Sequence, residues 1–390
     1  MLTTMSSAAF ELNSSYYTAI IDGSNTLERV SVSVLDPVNE TASPYMLPTY
    51  IRVTSMVIVI VVMVLGIIGN LMVPLVVLRG KDMRNSTNIF LVNLSAADLC
   101  VLLVCAPTVL VEVNSGPQVW PLGEHMCKIV PFVELTVAHA SVLTILAISF
   151  ERYYAICEPL RAGYICTKTR ATFLCFLAWV FAGVCASPMI WVSKYAKMGP
   201  NGTVIREEVN EVSSIPVCLM QATTTSITLF ILLLTTCFFF VPLIILLILY
   251  SIVVKHLIND SSTSTAESYH TRARRQVVLM LLTVVFSFFI CLSPFKILTF
   301  YIILAPAEEV DAIDLDTYFN ILYFSRVMFY LNSVINPILY NLMSSRFRQG
   351  FFKLCGLKMR WTSEGSTTRS TLATRLSRRT VINDQRENFL

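Results

Sequence analysis

Charged side chains are scarce in this sequence. Asp, Glu, Lys and Arg make up 14% of its 390 residues, whereas apolar residues make up 55%. An average soluble domain carries about 25% charged residues, so the composition excludes an ordinary water-soluble protein of this length. We therefore expect a membrane protein.

The sequence also lacks the patterns of several other protein classes. Short alternating apolar runs, which a transmembrane barrel needs, are absent, so the spans must satisfy their backbone hydrogen bonds as helices. No internal repeat supports an inverted-repeat transporter. No metal-ligand cluster, nucleophile elbow or phosphate loop supports an enzyme, and nothing indicates a nucleic-acid partner or a required cofactor.

Long apolar segments are present instead, and each is long enough to cross the roughly 30 Å hydrocarbon core as a helix. The first holds 26 consecutive uncharged residues. The sequence predicts an all-α membrane protein, a seven-transmembrane helix bundle within residues 51–343. The predicted spans are residues 53–78, 88–113, 126–149, 171–193, 226–254, 277–304 and 318–343.

Polar segments flank the bundle. Residues 1–50 form an amino-terminal tail, and residues 357–390 are rich in Ser, Thr and Arg and predict a disordered cytoplasmic tail. Arg next to Ser and Thr suits basophilic kinases, and phosphates there would attract an arrestin-like partner. The alternative is a tail that is never modified.

Residues 344–356 predict a short amphipathic eighth helix on the cytoplasmic membrane surface. Phe347, Phe351 and Leu354 fall on one helical stripe, with basic residues beside it. Cys355 at its end is a candidate palmitoylation site, and a free surface thiol is the alternative.

Flanking charges set the expected orientation. Lys and Arg collect in the loop after the first span, in the fifth-to-sixth loop and in the tail, which predicts a cytoplasmic location for these segments. Residues 1–50, which hold five acids and one Arg, are expected outside. We therefore expect a multi-pass plasma-membrane protein with an extracellular amino terminus. The sequons at Asn13, Asn39 and Asn201 fall on that outer side. No cleavable signal is visible, so we expect the first helix to carry the tail across the membrane.

Two of the eleven cysteines, Cys127 and Cys218, lie in predicted outer segments. The outer side is oxidising, whereas the remaining cysteines lie in spans or on the reducing side. We expect one disulfide that ties the fourth-to-fifth loop to the top of the third helix.

Ionisable residues inside the spans are candidate functional groups, because a charge in hydrocarbon costs several kcal/mol. Asp98 lies near mid-membrane, and the other candidates lie in the outer half. In chain order they are Asp98, Glu112, Glu134, Lys296 and Arg326.

The outer candidates, with the aromatic Phe295 and Tyr330, predict one outward-facing ligand cavity. Acids, bases and aromatic rings together suit a polar, amphoteric ligand larger than a monoamine, such as a peptide. The alternative is an internal ion pair between Glu134 and Arg326 or Lys296 that only holds helices together.

A second charged group lies at the cytoplasmic end of the third helix, where Glu151, Arg152 and Tyr153 follow an apolar run. Arg152 can pair with Glu151 in one state and turn toward a protein partner in another, which is typical of a switch. Anchoring of the Arg at the membrane interface is the alternative.

These features recur together in one family, and the chain resembles the rhodopsin-like G-protein-coupled receptors over residues 51–355. The motifs that carry the resemblance are Gly69-Asn70, "NLSAADL" with Asp98, Cys127 with Cys218, "ERY" at 151–153, Trp179, Pro242 with Tyr250, Pro294, and "NPILY" at 336–340.

Within that family, "VEVNSGPQVWPLGEHMCK", "VPFVELTVAHASVLTILAISFERYYAICEPL" and "RARRQVVLM" are similar to the insect ecdysis-triggering hormone receptors. Their wider kin are the thyrotropin-releasing hormone, ghrelin and neuromedin U receptors. The resemblance implies an amidated neuropeptide agonist ending in Pro-Arg-X-amide, and coupling to a heterotrimeric G protein of the Gq class with calcium release.

The resemblance also implies residue roles. Glu134 would receive the Arg of the ligand, because a guanidinium and a carboxylate form a directional bidentate pair. Arg152 would engage the G protein. An allosteric sodium ion would bind the pocket of Asp98, Ser141, Asn332 and Asn336, and the remaining switch residues would be Tyr250, Asn336, Pro337 and Tyr340.

Two positions depart from the family pattern. The usual sixth-helix Trp is replaced by Leu292, so Phe288 and the kink at Pro294 would have to carry the activating motion. Arg274 and Arg275 stand where some members have an acid that locks the third-helix Arg. We therefore expect an inactive state without that cross-helix pair, and some ligand-free signalling.

Three alternatives stay open to different degrees. An opsin is disfavoured, because the seventh span has no Lys for a retinal Schiff base. An amine receptor is weakened by the two bases near Glu134, which would repel a small cation. A non-signalling peptide-binding receptor would share the fold, and the "ERY" motif and basic inner loop argue against it.

Overall fold

The computed structural model describes residues 46–80, 83, 85–116, 119–198, 204–205, 214–220, 225–262, 269–306, 309 and 312–354. The chain divides into two units, Met1–Arg348 and Gln349–Leu390. The predicted glycosylation sites Asn13, Asn39 and Asn201 and the predicted palmitoylation site Cys355 lie outside the described residues, as does the tail after them.

Helices form almost all of the described chain, as the apolar segments predict. The first helix is Thr49–Arg79, the third Gly123–Cys157, the sixth Tyr269–Leu304, the seventh Leu315–Met343 and the eighth Ser345–Leu354. The second runs as Ser86–Cys100, Val101–Cys105 and Ala106–Ser115, the fourth as Lys168–Ala186 and Met189–Val192, and the fifth as Thr225–Thr235, Thr236–Phe240 and Val241–Ser262. A short helix, Pro159–Ile165, links the third and fourth.

The first six of these helices are long and apolar enough to cross a membrane. The seventh is of similar length but more polar, because it carries Arg326, Asn332, Ser333 and Asn336. It packs against the first and sixth helices, and its polar side chains can meet partners there rather than lipid. Large apolar side chains such as Leu65 are exposed on the outside of the bundle, where lipid would cover them.

Two helices contain a π-helical turn next to a proline. Val101–Cys105 precedes Pro107 in the second helix, and Thr236–Phe240 precedes Pro242 in the fifth. Proline lacks a backbone N–H, and a wider turn lets the neighbouring backbone groups find other partners. Phe238, which makes a contact described below, lies within the second of these turns.

The first and seventh helices approach closely. A Cβ atom added at Gly69 would lie 3.0 Å from the Pro337 ring, so any larger residue at position 69 would crowd that ring. Asn70 is fully buried, and its amide donates to the Ser333 carbonyl at 2.7 Å and to the Gly66 carbonyl at 2.9 Å. A buried amide with two partners fixes the register of the two helices.

A small antiparallel sheet, absent from the sequence prediction, covers one end of the bundle. It consists of β1 (Ser193–Met198), β2 (Val204–Ile205) and β3 (Ile215–Met220), in the order β2-β1-β3. The predicted disulfide is present: Cys218 of β3 bonds to Cys127 at the start of the third helix. We call this the disulfide end, and the end that carries Arg152 the Arg152 end.

Candidate functional site

An ion pair joins the second and seventh helices near the disulfide end. The Arg326 guanidinium donates to the Glu112 carboxylate, and the two side chains are 29% and 18% exposed. Each charge has a partner, so desolvation of either one is partly offset. Sequence analysis placed both residues in the ligand cavity but did not predict that they pair with each other.

Glu134 lies close to this pair without joining it. Its Oε1 accepts a hydrogen bond from the hydroxyl of the fully buried Tyr330 at 2.7 Å, and the Arg326 charge acts on it electrostatically. Among the described residues no salt bridge joins Glu134 to Arg326 or to Lys296. The geometry therefore does not support the alternative in which Glu134 is half of an internal ion pair with Arg326 or Lys296. One carboxylate oxygen of Glu134 keeps no hydrogen-bond partner in this part of the chain.

Lys296 also lies among these helices. It is partly buried on the sixth helix, and within the described residues it has no carboxylate partner and no hydrogen bond. The neighbouring Phe295 ring faces Phe329 at 6.3 Å, and Phe329 meets Tyr330 edge-on at 5.4 Å. Phe295, Phe329 and Tyr330 thus form an aromatic wall between the sixth and seventh helices, and the Tyr330 hydroxyl connects this wall to Glu134.

His139 is a polar residue of this region that sequence analysis missed. It is 2% exposed on the third helix, and neither ring nitrogen has a hydrogen-bond partner among the described residues. Its ring stacks on Phe238, with centroids 3.8 Å apart and an angle of 13° between the planes. The signal in the sequence is a single His in an apolar span. It is easily passed over, because a His is not charged in the way that a carboxylate or a permanent cation is.

A second polar cluster lies deeper in the bundle around the buried Asp98. The Asn336 amide donates to its Oδ2 at 3.0 Å, and Ser333 lies beside the same carboxylate. The amide oxygen of Asn332 is buried without a partner, and Ser141 is buried on the third helix. The structure thus joins Asp98 and Asn336 directly, adds Ser333, and shows no hydrogen bond from Ser141 to the carboxylate.

The predicted switch residues of the fifth, sixth and seventh helices are mostly buried. Tyr250 is hydrogen-bonded to Ser149 of the third helix at 3.1 Å. Tyr340 is fully buried against Phe347 at 5.8 Å, and its hydroxyl has no partner. Phe288 packs edge-on against the neighbouring Phe289 ring, one helical turn before Leu292.

At the Arg152 end, the second helix holds the charged pair of the third. The Glu151 carboxylate accepts from Ser86 and, at 3.4 Å, from Thr87, and it lies 3.6 Å from the Arg152 guanidinium. The same guanidinium donates to the Thr87 hydroxyl. Tyr153 turns away and donates to Glu158 at 3.2 Å. Hydroxyls of the second helix thus hold the charged pair of this chain, which lacks the sixth-helix acid that some members of the resembled family have.

The bases predicted to replace that acid lie near the start of the sixth helix. Arg274 and Arg275 both fall within Tyr269–Leu304, and Arg275 is exposed. Both residues are basic, so neither can pair with Arg152 as an acid would. Ligand-free signalling stays a prediction.

Comparison with known proteins identifies the arrangement. Residues 69–340, more than half of the chain, match the family model "7 transmembrane receptor (rhodopsin family)". The growth hormone secretagogue receptor type 1 of Homo sapiens is 33% identical over 76% of this chain and 78% of its own. The thyrotropin-releasing hormone receptor of Mus musculus is 29% identical over 88% of this chain and 87% of its own. A QRFP-like peptide receptor of Branchiostoma floridae is 38% identical over a shorter stretch, 37% of each chain.

The Glu112–Arg326 pair generates a stability prediction. Breaking a fully buried pair costs roughly 3 to 5 kcal/mol, and because both side chains are partly exposed here we expect about 1 to 2 kcal/mol for Glu112→Gln or for Arg326→Gln. The double variant should lose less than the sum of the two losses, since the interaction is removed only once.

The measurement is the melting temperature of the ligand-free protein in lipid nanodiscs. Lys296→Gln is the matched control, because it removes a charge that has no carboxylate partner in the described chain, and it should lower the melting temperature less. Strictly additive losses for Glu112 and Arg326 would show that the pair does not contribute.

Proposed function

The chain belongs to the rhodopsin family of seven-transmembrane receptors, whose members are receptors rather than enzymes, and we propose that it is a cell-surface receptor for an amidated neuropeptide. The observation that carries the proposal is the set of unpaired charges near the disulfide end. Glu134 keeps a free carboxylate oxygen, and Lys296 has no counter-charge among the described residues. An acid and a base that do not satisfy each other suit a ligand with groups of both signs.

The chemistry of Glu134 specifies one ligand group. Because Arg326 is neutralised by Glu112, the carboxylate of Glu134 is available for a cation from outside. A guanidinium matches a carboxylate bidentately, and that pair is strong in a site shielded from water. This supports a peptide whose Arg lies near its carboxy terminus, of the Pro-Arg-X-amide type that acts on ecdysis-triggering hormone receptors.

The names of the relatives favour the same class of ligand. One is called a peptide receptor, one a receptor for thyrotropin-releasing hormone, and one a receptor for a hormone secretagogue. Receptors for another small neuropeptide or for an amine are the runner-up, and Lys296 near the site disfavours a small amine because the two cations would repel. A peptide-binding receptor that does not signal is the alternative from another functional class.

For signalling, we propose that the disulfide end faces outward and the Arg152 end faces the cytoplasm. Arg152 would leave Thr87 and Glu151 to engage a heterotrimeric G protein, of the Gq class with calcium release. Tyr250 and Tyr340 would fill the space that opens when the sixth helix moves at Pro294. Receptor kinases and arrestin would then act on the Ser/Thr-rich tail.

We further propose that a sodium ion binds around Asp98. The carboxylate of Asp98, the hydroxyl of Ser141 and the orphaned amide oxygen of Asn332 are hard oxygen donors, which is the donor type that such cations prefer. Asn336 donates to Asp98 and would orient the carboxylate rather than bind the ion.

The ligand contact is tested with peptide and receptor changed in turn. In cells that express this chain, a peptide ending in Pro-Arg-Leu-amide should release calcium. Glu134→Gln, or citrulline in place of the peptide Arg, should each lower its potency about 10- to 100-fold, equivalent to about 1.4 to 2.8 kcal/mol. Together they should lower it little further, because the same contact is lost only once.

Glu124→Gln is the matched control, since this acid lies on the same helix at the disulfide end, is exposed and pairs only with Lys128. Additive losses would remove the Glu134 contact from the proposal. If no amidated peptide acts although the protein reaches the surface, the ligand assignment fails, and response to an amine panel would favour the amine receptor. Binding of labelled peptide without a calcium or cAMP response would favour the non-signalling receptor.

The contact at the Arg152 end predicts a rise in ligand-free signalling for Thr87→Val. The change keeps the side-chain shape and removes the hydroxyl that accepts from Arg152. A hydrogen bond to a charged group contributes about 1.5 kcal/mol, which allows up to about a tenfold shift toward the active state. Inositol phosphate accumulation per receptor at the cell surface measures it.

Thr172→Val is the control for that experiment. Thr172 lies at the same end of the bundle, but its hydroxyl donates only to the Lys168 carbonyl of its own helix. Equal ligand-free signalling in wild type and Thr87→Val would show that this contact does not restrain Arg152.

The sodium site predicts a salt effect on stability. Ligand-free protein should melt at a higher temperature in sodium chloride than in choline chloride, because an ion that binds only the folded state stabilises it by mass action. Asp98→Asn and Asn332→Ala should each remove that difference. A difference that persists in both variants would rule out an ion at Asp98.

A further inference from the structure

Within the described chain the buried imidazole of His139 has no partner for either nitrogen. Its stacking on Phe238 fixes the plane of the ring, so both nitrogens can meet a partner only at the edge of the ring and not over its face. An unsatisfied buried polar group costs roughly 1 to 3 kcal/mol, and native proteins leave few of them. The edge of this ring is therefore a place where another polar group is expected.

Lys296 is the second unsatisfied group, and it lies near the first. Its charge acts on the His139 imidazole across the gap between the third and sixth helices. Neither of the two carboxylates closer to the disulfide end pairs with Lys296 in the described chain, because Glu112 binds Arg326 and Glu134 accepts from Tyr330. An ammonium group inside a membrane bundle without an opposite charge is unfavourable, so a negative or accepting group is expected beside it.

His139 lies deeper than the Glu134 site. His139 follows Glu134 by five residues on the same helix, which is about 7.5 Å along the helix axis at 1.5 Å per residue. The wall at this depth is aromatic, since Phe238 also meets Phe181 with centroids 5.9 Å apart. A group that reaches this level must combine apolar surface with an oxygen that accepts hydrogen bonds.

We propose that Lys296 and His139 form a subsite for an accepting oxygen of the ligand, a carboxylate or an amide carbonyl, below the Glu134 site. The proposal rests on the proposed function in taking the disulfide end as the side of entry. Lys296 supplies a positive charge and up to three donors, and a neutral His supplies one further N–H. A water molecule would satisfy His139 but would leave the charge of Lys296 unbalanced.

Charge balance makes the two sites complementary. Glu112 and Arg326 neutralise each other. When a ligand cation also neutralises Glu134, the positive charge of Lys296 is the one that remains among these residues. The preferred ligand end is therefore bipolar, with a cation near Glu134 and an accepting oxygen about 7.5 Å deeper along the helix axis. In an Arg-X-amide terminus the carbonyl oxygens follow the Arg, which places them on the deeper side when the carboxy terminus enters first.

The test uses small probes, so it does not depend on signalling or on the identity of the peptide. Purified receptor in nanodiscs is titrated with phenylacetate, an aromatic anion, and with benzylamine, a cation of similar shape, and the melting temperature is recorded. We expect phenylacetate to stabilise the wild type. Lys296→Met should weaken its apparent affinity about tenfold, which is the loss of one charge-assisted contact of about 1.4 kcal/mol.

Matched variants separate the two sites. His139→Phe keeps the ring stacked on Phe238 and removes the nitrogens, so it should weaken phenylacetate binding and leave benzylamine binding unchanged. Glu134→Gln should do the reverse. Lys296→Arg keeps the charge and should retain phenylacetate binding if Lys296→Met fails to fold, and Lys168→Met, an exposed Lys at the Arg152 end, should change nothing.

Two results would overturn the proposal: no stabilisation of the wild type by millimolar phenylacetate, or equal stabilisation of wild type, Lys296→Met and His139→Phe. Neither result would contradict the proposal of a peptide receptor, because calcium release tests that proposal separately.

Peptides then identify the source of the oxygen. If it is the carboxy-terminal group, exchange of amide for free acid changes potency in the wild type but not in Lys296→Met. If the oxygen belongs to an acidic side chain of the peptide, replacing that side chain by its amide changes potency in the wild type but not in Lys296→Met. Equal effects in wild type and Lys296→Met for both exchanges would contradict the subsite.

Discussion

The scarcity of water inside the bundle is the constraint on which this structure depends. A polar side chain within a span must find its partner on another helix, on its own backbone or in a ligand, because lipid offers none. The second, third and seventh helices satisfy this requirement with a few contacts, which include the Glu112–Arg326 pair, the bond between Tyr330 and Glu134, and that between Asn336 and Asp98. The polarity of the seventh helix, which makes it the least membrane-like in composition, is what lets it hold the others in register.

The same constraint separates structural polar groups from functional ones. Groups with partners stabilise the fold, and their loss exposes an uncompensated charge or amide. Several buried groups of the described chain keep an unpartnered atom, among them the Tyr340 hydroxyl and the Asn70 amide oxygen. Four groups with spare hydrogen-bonding capacity lie on the third, sixth and seventh helices: one oxygen of Glu134, the ammonium of Lys296, the ring of His139 and the amide oxygen of Asn332. Native structures leave few such groups, so these four are candidates for contact with ligands and ions.

Sequence alone predicted the helical architecture and the disulfide, and it did so because hydrocarbon leaves little choice of structure. Segment length and charge gave the spans, and the location of two cysteines gave the disulfide. It did not predict which acid binds Arg326, since Glu112 and Glu134 both lie at accessible depths and only helix rotation decides between them. The π-helical turns change that rotation locally, and a proline alone does not predict them, because Pro131 and Pro294 lie within continuous α-helices. His139 was missed for a related reason, because its significance lies in an absence of partners that only packing reveals.

With Leu292 in place of the usual Trp, we expect the seventh helix to take a larger part in the transition between states. An indole at that position would link a ligand in the outer half to the sixth helix, whereas a Leu offers neither the volume nor a polar group. The seventh helix has side chains at every level: Arg326 and Tyr330 beside the candidate ligand site, Asn332 and Asn336 beside Asp98, and Tyr340 nearer the Arg152 end.

At the Arg152 end, hydroxyls of the second helix hold the guanidinium in addition to its neighbouring acid. A hydroxyl binds a guanidinium less strongly than a second carboxylate would, so less free energy is needed to release it. A lock of this kind suits a receptor in which the ligand acts through displacement of one helix, because a modest differential affinity for the two states is then sufficient to shift the equilibrium.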